Sequence, residues 1–287
     1  MPSAFGAAAG VINPVTGRWM TKTWNFDQLL PEAVKTYRAI EQKFDIQVYH
    51  PIPEIRFCQN AEDLKRVGKR MRNPRYQDVL SHMAATGEAA PEFNDDFGTF
   101  HINQAAYVDL PLVVHTLRAS FATLGRFRDE TFLHSELKPG TTGWQYRNLH
   151  ADKVIFCEGA AMKDNPWFKN LPLKPAKGET LLCHSPTLRL PQKLYHHKKW
   201  FLPYPDGNFR IGATYDESDL SDAPTQAKKD ELLTAAQEAL KKPHQVDVSA
   251  HLAGIRPSTI DSRPIIGAHP NNFCLLYTSD AADEKRW

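Results

Sequence analysis

Three stretches of the chain have apolar residues at every third or fourth position, which is the spacing of an amphipathic helix. The first runs from Phe26 to Phe44, and Asn25 precedes it as a candidate N-cap. Pro31 lies inside this stretch and cannot donate a backbone hydrogen bond, so the pattern predicts a separate or kinked first turn.

The other two helical stretches have clearer end signals. Asp109 is a candidate N-cap, Pro111 suits a first turn, and Gly125 follows the last residue of the apolar stripe. A charged amphipathic stretch from Gln226 to Lys241 is ended by Pro243. Both stretches therefore predict helices.

Shorter runs rich in β-branched and aromatic residues predict strands. They are Ile55–Cys58, Phe127–Leu133, Lys153–Cys157, Glu179–Cys183, Lys199–Leu202 and Phe209–Ala213. The continuous apolar run 154–157 is typical of a strand that is buried on both faces in a parallel sheet. The charged segment 62–83 predicts one or two surface helices, and segment 84–98 predicts a loop. The order of elements predicts α/β plus α+β architecture, with a Rossmann-like domain interleaved with an antiparallel sheet.

Composition narrows the class of protein without indicating a function. A formal net charge of +2 over 287 residues does not favour a nucleic-acid or anionic-membrane partner. No run approaches the roughly 20 apolar residues that span a bilayer, and the first residues lack the order of a secretory signal. The four cysteines include no CxxC pair, and Cys157 and Cys183 are predicted to be buried free thiols. These features predict a reduced, cytoplasmic protein.

Two segments combine small residues with turns. The run Ala7–Pro14 would let the backbone approach a bulky ligand closely, although a frayed terminus or a tightly packed turn has the same composition. The run Val154–Ala161 ends an apolar strand in a glycine turn, at the edge where open α/β sheets bind ligands. The alternative is a glycine that simply lets the chain turn.

Two further segments carry large or charged side chains. Trp200 and Tyr215 flank a predicted hairpin, and core packing is the alternative for the tryptophan. Arg256 stands between Gly254 and Pro257, in a backbone that is expected to be well defined. Its guanidinium suits bidentate capture of a carboxylate, and a surface ion pair is the alternative.

Taken in order, these segments resemble the D-amino-acid-oxidase family of FAD-dependent amine oxidoreductases, over roughly Ser3 to Phe273. The motifs that carry the resemblance are AAAGVINP from Ala7, VIFCEGA from Val154, KPAKGE from Lys174, IGAT from Ile211 and GIRPSTIDSRPIIG from Gly254.

The resemblance implies FAD as cofactor and oxidation of a C–N bond in an amino acid or secondary amine, with hydride transfer to flavin N5. It implies that the substrate carboxylate binds Arg256, and that Trp200 and Tyr215 face the substrate. The residues implied to line FAD are Ala8, Ala9, Gly10, Val11, Ile12, Gly159 and Ala160. No covalent flavin is implied, because no cysteine lies where sarcosine oxidases attach one.

The resemblance also implies how the chain divides. FAD-binding parts are expected at 1–24, 109–178 and 253–274, and substrate-domain parts at 25–108 and 179–252. The family's G-x-G-x-x-G turn does not occur in this sequence, so a strand–turn–helix unit is expected before Met1 and weak FAD binding is expected without it. Residues 275–287 resemble translated sequencing-adapter read-through and are expected to be a non-native tail outside the fold.

Three alternatives remain at this stage. The opening also resembles the oxidoreductase module that matures the tRNA wobble uridine, for which Lys65–Arg75 and His196–Lys199 are candidate basic patches. Solvated charged faces have the same composition. A non-catalytic flavoprotein-like binding domain and a dehydrogenase that uses a soluble nicotinamide cofactor are the others. No metal site is expected at the paired histidines, because no third ligand is evident.

Overall fold

The computed structural model describes residues 4–278. The helices are α1 (Phe26–Phe44), α2 (Ala61–Met71), α3 (Leu110–Thr123) and α4 (Gln226–Ala239). The strands are β1 (Val11–Ile12), β2 (Val15–Thr16), β3 (Thr21–Lys22), β4 (Tyr49–Pro51), β5 (Glu54–Phe57), β6 (Leu80–Ala84), β7 (Thr99–Ile102), β8 (Ala106–Val108), β9 (Leu137–Pro139), β10 (Trp144–Tyr146), β11 (Leu149–Ala151), β12 (Val154–Phe156), β13 (Ala176–His184), β14 (Leu194–His196), β15 (Trp200–Pro203), β16 (Asn208–Gly212), β17 (Asp247–Arg256), β18 (Ile266–His269) and β19 (Asn272–Thr278). Within the described part of the chain, no helix is long and apolar enough to cross a membrane.

The predicted helix ends are confirmed at α3 and corrected at α1. The Asp109 carboxylate accepts a hydrogen bond from the backbone N–H of Leu112 at 3.0 Å, which caps α3. Asn25 lies in the left-handed region with φ 52° and makes no side-chain cap. Helix α1 continues through Pro31, so the predicted separate first turn is wrong. Pro31 is exposed, so the carbonyl that loses its helical partner lies on the solvent side.

An eight-stranded sheet forms the centre of the molecule, in the order β17-β13-β16-β15-β14-β5-β7-β6. All neighbouring strands are antiparallel except β14 and β5, which are parallel. One face of the sheet packs against α4 through a buried cluster that includes Ile55, Leu181, Phe201, Ile211 and Leu232. Side chains alternate between the two faces of a strand, so their neighbours in sequence point to the opposite face, where the candidate site lies.

A second sheet has the order β12-β19-β18, with β12 and β19 parallel. The predicted parallel strand at 154–157 is therefore confirmed, but its predicted burial on both faces is wrong. Phe156 is buried against Met162 and Phe168, whereas Ile155 is 61 % exposed on the other face. Among residues 4–278, no layer covers that face at Ile155. The two sheets together confirm the predicted α/β plus α+β class.

Two local predictions differ from the structure, one over its whole length and the other only at its end. Segment 127–133 forms no strand, and Glu130 pairs instead with Arg147 at 2.6 Å. The prediction of one or two surface helices in segment 62–83 is confirmed by α2 and a short 3-10 turn at Pro74–Tyr76, and it is wrong only at its end, where β6 begins at Leu80. The loop predicted at 84–98 is confirmed from residue 85 on, since Ala84 is the last residue of β6.

The last strand corrects the predicted start of the non-native tail. Leu275 and Tyr277 are buried in the second sheet, and β19 pairs with both β12 and β18. The fold therefore includes residues 275–278, because the alternating side chains of Leu275 and Tyr277 complete the core of this sheet. Residues 279–287 lie outside the described part. Strands β13 and β17 of the large sheet also extend across the predicted domain boundaries at 178/179 and 252/253.

The cysteines are predicted to differ sharply in reactivity. Cys157 is exposed, so its predicted burial is wrong, because its strand ends one residue earlier and the chain turns outward. Burial raises the pKa of Cys58 to about 11 and that of Cys183 to about 12, and burial and the charge of Glu158 also raise the pKa of Cys157, which differs in being exposed to the reagent. Since the thiolate is the reactive form, we expect an aromatic disulfide reagent at pH 7.5 to label Cys157 in a fast phase. Peptide mass spectrometry checks this, and Cys157→Ser should remove the fast phase whereas Cys183→Ser should not.

Candidate functional site

A cavity of about 540 Å³ lies between the large sheet and the N-terminal turn, which we define as residues 7–12. Eight of the ten predicted site residues line it, namely Ala8, Ala9, Gly10, Val11, Ile12, Trp200, Tyr215 and Arg256. The fold therefore brings together residues from opposite ends of the sequence. Gly159 and Ala160 do not line this cavity.

The N-terminal turn is fixed to the sheet by hydrogen bonds, which excludes a frayed terminus at residues 7–12. Thr180 Oγ1 donates to the carbonyl of Ala7 at 3.2 Å, and Arg210 Nη1 donates to that of Ala8 at 2.8 Å. The backbone N–H of Val108 donates to the carbonyl of Gly10 at 2.9 Å. The turn thus presents small side chains to the cavity in a fixed backbone.

Gly10 is required by this backbone. Its φ is +66°, and a Cβ at this position would overlap the carbonyl oxygen of Val108. We expect Gly10→Ala to lower the free energy of unfolding by about 2 kcal/mol or more, from the left-handed conformation and the steric overlap. Gly6→Ala is the matched control, because its Cβ would meet nothing within 4 Å. Equal denaturation midpoints for the two variants would show that the turn tolerates a side chain.

Arg256 extends from β17 across the neighbouring strand β13. A Cβ on Gly178 would overlap the guanidinium, so the absence of a side chain at Gly178 is what makes room for it. Arg256 Nη1 donates to the carbonyl of Thr214 at 3.2 Å, and the guanidinium carbon lies 5.9 Å from the ring centre of Tyr215. The guanidinium is therefore half-buried and packs on the backbone of β13. Gly178 was not predicted as a site residue, although the KGE motif contains it.

Trp200 forms the adjacent wall of the cavity. It pairs with Gly212 across β15 and β16, and a Cβ on Gly212 would lie 2.5 Å from Trp200 Cζ2. The indole therefore rests directly on the glycine backbone. Because Trp200 is only partly buried and lines the cavity, it serves both as packing and as a cavity wall.

Arg56 and His196 line the far end of the cavity, and sequence reasoning did not select either residue individually for this site. Arg56 of β5 donates to the carbonyls of Val15 at 3.1 Å and Gly17 at 2.7 Å. His196 of β14 lies with its Nδ1 atom 3.3 Å from Oε1 of the buried Glu54. The only sequence signal for these residues was weak, namely that β5 alternates the charged Glu54 and Arg56 with apolar residues.

Gly159 and Ala160 lie in a 3-10 helix, Gly159–Asp164, just beyond the carboxyl end of β12. Gly159 has φ +56°, and open space surrounds the position that its Cβ would occupy. Glu158 beside it contacts His134 Nε2 at 2.7 Å and accepts from Asn165 Nδ2 at 2.9 Å. The glycine turn is therefore ordered and accessible, but it belongs to a different part of the surface from the cavity.

Both lysines of the segment 196–199 pair with acidic neighbours, whereas in the segment Lys65–Arg75 the ion pairs described are those of Arg66. Lys198 pairs with Glu238 at 2.9 Å and Lys199 with Glu231 at 2.8 Å, both on α4. In α2, Arg66 pairs with Glu62 and Asp63. Among the described residues, no group of three or more His, Cys, Asp or Glu side chains could hold a metal ion.

A buried ion network lies on β13, on the face opposite the one where Arg256 packs over Gly178. Lys177 and Glu179 are each 1 % exposed and lie 3.5 Å apart. Lys177 Nζ also donates to Asp219 at 2.7 Å, and Glu179 accepts from the backbone N–H of Thr225 at 2.9 Å. Burial disfavours the charge on Lys177, but the hydrogen bond to Asp219 and the charge of Glu179 outweigh it and raise the pKa of Lys177. The bond from Lys177 lowers the pKa of Asp219 to about 2.

The sequence matches the family model described as FAD dependent oxidoreductase, DAO, over residues 2–279. Among curated proteins, the glycine oxidase of Pseudomonas aeruginosa is 28 % identical over 179 residues, which cover 59 % of this chain and 49 % of that protein. The matched region thus spans about half the length of that relative.

Two solved structures share the fold. The glycine oxidase of Geobacillus kaustophilus superposes with a TM-score of 0.82 at 20 % identity, covering 97 % of this chain and 79 % of that one. The iminodiacetate oxidase of Chelativorans sp. BNC1 superposes with a TM-score of 0.79 at 21 % identity, covering 98 % of this chain and 81 % of that one. At these identities the likeness shows the fold alone.

Proposed function

Because the chain belongs to the DAO family of FAD-dependent oxidoreductases, we propose that its protein oxidises the C–N bond of a small amine or amino acid that bears a carboxylate. The observation that carries this proposal is the position of Arg256. Its guanidinium lies over Gly178 inside the cavity that the N-terminal turn closes. A carboxylate held there would bring the rest of a small substrate between the turn and Trp200.

The N-terminal turn fits the flavin end of FAD. Ala8, Ala9 and Gly10 present little side-chain volume to the cavity, and the overlap with Val108 forbids a larger residue at Gly10. We infer that these residues, with Val11 and Ile12, line the flavin. FAD, when bound, supplies the acceptor for the hydride that leaves the carbon beside the amine.

The glycine turn after β12 is the candidate for another part of the cofactor. Gly159 and Ala160 lie outside the cavity, with open space beside Gly159. We infer that they contact the FAD away from its flavin ring. The G-x-G-x-x-G turn that would bind the pyrophosphate does not occur in this sequence, so the residues described here account for only part of FAD binding.

Arg256, Trp200 and Tyr215 would bind and orient the substrate. The guanidinium can donate two parallel hydrogen bonds to a carboxylate, which fixes both position and direction. Trp200 and Tyr215 line the same cavity, so they would restrict rotation of the bound amine and exclude water. Such alignment is what hydride transfer from a neutral amine requires.

The proposal is tested by anaerobic flavin reduction in the flavin-loaded protein. We expect glycine, sarcosine or iminodiacetate to bleach the oxidised flavin absorbance, and ethylamine, which has no carboxylate, to do so far more slowly. Bound flavin that no amine reduces would support the non-catalytic binding domain instead. The tRNA alternative stays a prediction, for which reduction by modified tRNA but by no free amine would be the evidence.

A further inference from the structure

The segment 214–225, which follows β16, begins as a wall of the proposed substrate site. Thr214 and Tyr215 line the cavity, and both contact Arg256. Arg256 Nη1 donates to the carbonyl of Thr214 at 3.2 Å, and the guanidinium carbon lies 5.9 Å from the ring centre of Tyr215. The position of the guanidinium therefore depends on where this segment lies.

The first residues of the segment pair with the backbone of β13. The backbone N–H of Thr214 donates to the carbonyl of Glu179 at 3.1 Å, and the Glu179 N–H donates to Thr214 Oγ1 at 2.9 Å. Asp216 and Lys177 exchange two backbone hydrogen bonds, of 2.9 and 2.7 Å. Tyr215 lies between these two attached residues, so its backbone is held on both sides.

The irregular part of the segment is held by one buried ammonium. Lys177 Nζ donates to Asp219 Oδ2 at 2.7 Å, to Ser221 Oγ at 3.0 Å and to the carbonyl of Ala223 at 2.5 Å. An ammonium has three N–H donors, so these three acceptors use its full capacity. All three belong to segment 214–225, whereas Lys177 belongs to β13 and its side chain is 1 % exposed.

Glu179 attaches the end of the segment to the same strand. Its carboxylate accepts hydrogen bonds from the backbone N–H of Thr225 at 2.9 Å and from Thr225 Oγ1 at 3.2 Å, and Thr225 is also the N-cap of α4. Lys177 and Glu179 lie on one face of β13, and Gly178 between them lies under Arg256 on the other face. One strand therefore supports the guanidinium and also holds the segment that contacts it.

We propose that Lys177 is a positioning residue of the substrate site. Its buried ammonium attaches segment 214–225 to β13, which sets Tyr215 and the Thr214 carbonyl against the Arg256 guanidinium. The guanidinium is then preorganised to bind a carboxylate, because little reordering accompanies binding. This inference rests on the proposed oxidation of a carboxylate-bearing amine, and it gives Lys177 an effect on substrate affinity in addition to its effect on stability.

The acidic composition of the segment gives the attachment a second consequence. The segment carries four carboxylates, and one that moved next to Arg256 would compete with the substrate for the guanidinium. Lys177 is the least exposed of the lysines that pair with them, so its ion pair is the least screened by solvent. The pairs are Asp216 with Lys228, Glu217 with Lys174 and Asp219 with Lys177.

Asp219→Ala tests the proposal while Lys177 keeps its contact with Glu179 at 3.5 Å. In the flavin-loaded protein, we expect the Kd of glycolate, a carboxylate without an amine, to rise about three- to tenfold. This is below the full effect of a charged hydrogen bond because Asp219 is 38 % exposed. Perturbation of the flavin absorbance measures the Kd. Asp222→Ala is the matched control, because Asp222 is exposed in the same segment and has no hydrogen bond or ion pair among the described residues.

Kinetics separate a role in positioning from a general loss of structure. For glycine, sarcosine or iminodiacetate, KM should rise by about the same factor as the glycolate Kd, whereas kcat should change less than about twofold. The slow oxidation of ethylamine, which has no carboxylate for Arg256 to bind, should also change less than about twofold. Equal losses for ethylamine and the carboxylate-bearing amines would overturn the proposal.

Hydrogen exchange gives a readout that needs neither flavin nor turnover. In Asp219→Ala, the amides of residues 216–223 should exchange at least about tenfold faster, whereas those of α4 beyond its first turn should keep their wild-type protection. Faster exchange with an unchanged glycolate Kd would overturn the positioning role, and identical exchange in Asp219→Ala and Asp222→Ala would overturn the attachment itself. A wild-type protein that binds glycolate but oxidises no amine would instead overturn the proposed function.

Discussion

Replacement of Arg256 by alanine is expected to lower kcat/KM for carboxylate-bearing amines by about 10²- to 10³-fold. The guanidinium lies in the cavity above Gly178, and its loss would remove both charged hydrogen bonds that we propose it donates to the substrate. Removing one partner of such a desolvated pair costs about 2–5 kcal/mol, and each 1.4 kcal/mol is a factor of ten. The flavin absorbance spectrum should be unchanged. Stopped-flow flavin reduction at several substrate concentrations measures the effect.

Two further measurements make the Arg256 result specific. Ethylamine has no carboxylate, so its slow oxidation should change less than about threefold in Arg256→Ala. Gly178→Ala should reproduce part of the defect without removing the arginine, because its Cβ would overlap the guanidinium. An equal loss for substrates with and without a carboxylate would mean that Arg256 supports the structure of the cavity and does not bind the substrate.

Local sequence signals predicted the elements that are stabilised by local interactions. Helix α3 followed from Asp109, whose side chain caps it three residues along, and from Gly125, which takes φ +65° after its end. The strand at 127–133 failed because a β-type pattern does not show whether a neighbouring strand is available, and in the structure every residue of this segment is exposed. The burial of Ile155 failed for a related reason, since a continuous apolar run does not show which faces the fold covers.

The candidate site also combines residues that the sequence could identify with residues whose roles depend on distant contacts. The family motifs selected Arg256, Trp200 and the N-terminal turn, and the structure places them around one cavity, while their roles stay predictions. They contained Gly178 within KPAKGE but did not identify it as a site residue, because its importance comes from Arg256, which lies 78 positions later in the chain and packs over it. Nor could they select Glu54 and His196, which meet through a parallel pairing of β5 and β14 across more than 100 residues.

The second large effect is expected on stability, at Lys177. Lys177→Met keeps the volume of the side chain but removes the charge that faces Glu179 and Asp219. Breaking a buried ion pair by removing one partner costs about 3–5 kcal/mol, because the remaining charge stays desolvated. We expect a loss near the lower end, since Glu179 keeps the bond from Thr225 and a contact of 2.7 Å with His251. Urea unfolding followed by circular dichroism measures it.

The pH dependence of this loss follows from the sign of the pKa shift. The pKa of Lys177 is raised above its ordinary value of 10.5, so its contribution is complete below 10.5 and disappears as the pH rises through the folded-state value. The stability difference between wild type and Lys177→Met should therefore be constant from pH 6 to 9 and narrow only above 10.5. A difference that already narrows between pH 6 and 9 would assign the effect to another group.

Two variants separate the buried network from an ordinary lysine effect. Lys174→Met is the matched control, because Lys174 pairs with Glu217 at the surface, with both side chains more than one third exposed. The free energy of unfolding of Lys174→Met should stay within about 0.5 kcal/mol of the wild-type value. The double variant Lys177→Met, Glu179→Met should lose less stability than the sum of the single variants, by about 1–3 kcal/mol, because neither buried charge is then left without the other. If the losses of stability in the two single variants add up to that of the double variant, Lys177 and Glu179 stabilise β13 independently. The part of β13 on which Arg256 packs would then be held by packing and not by this ion pair.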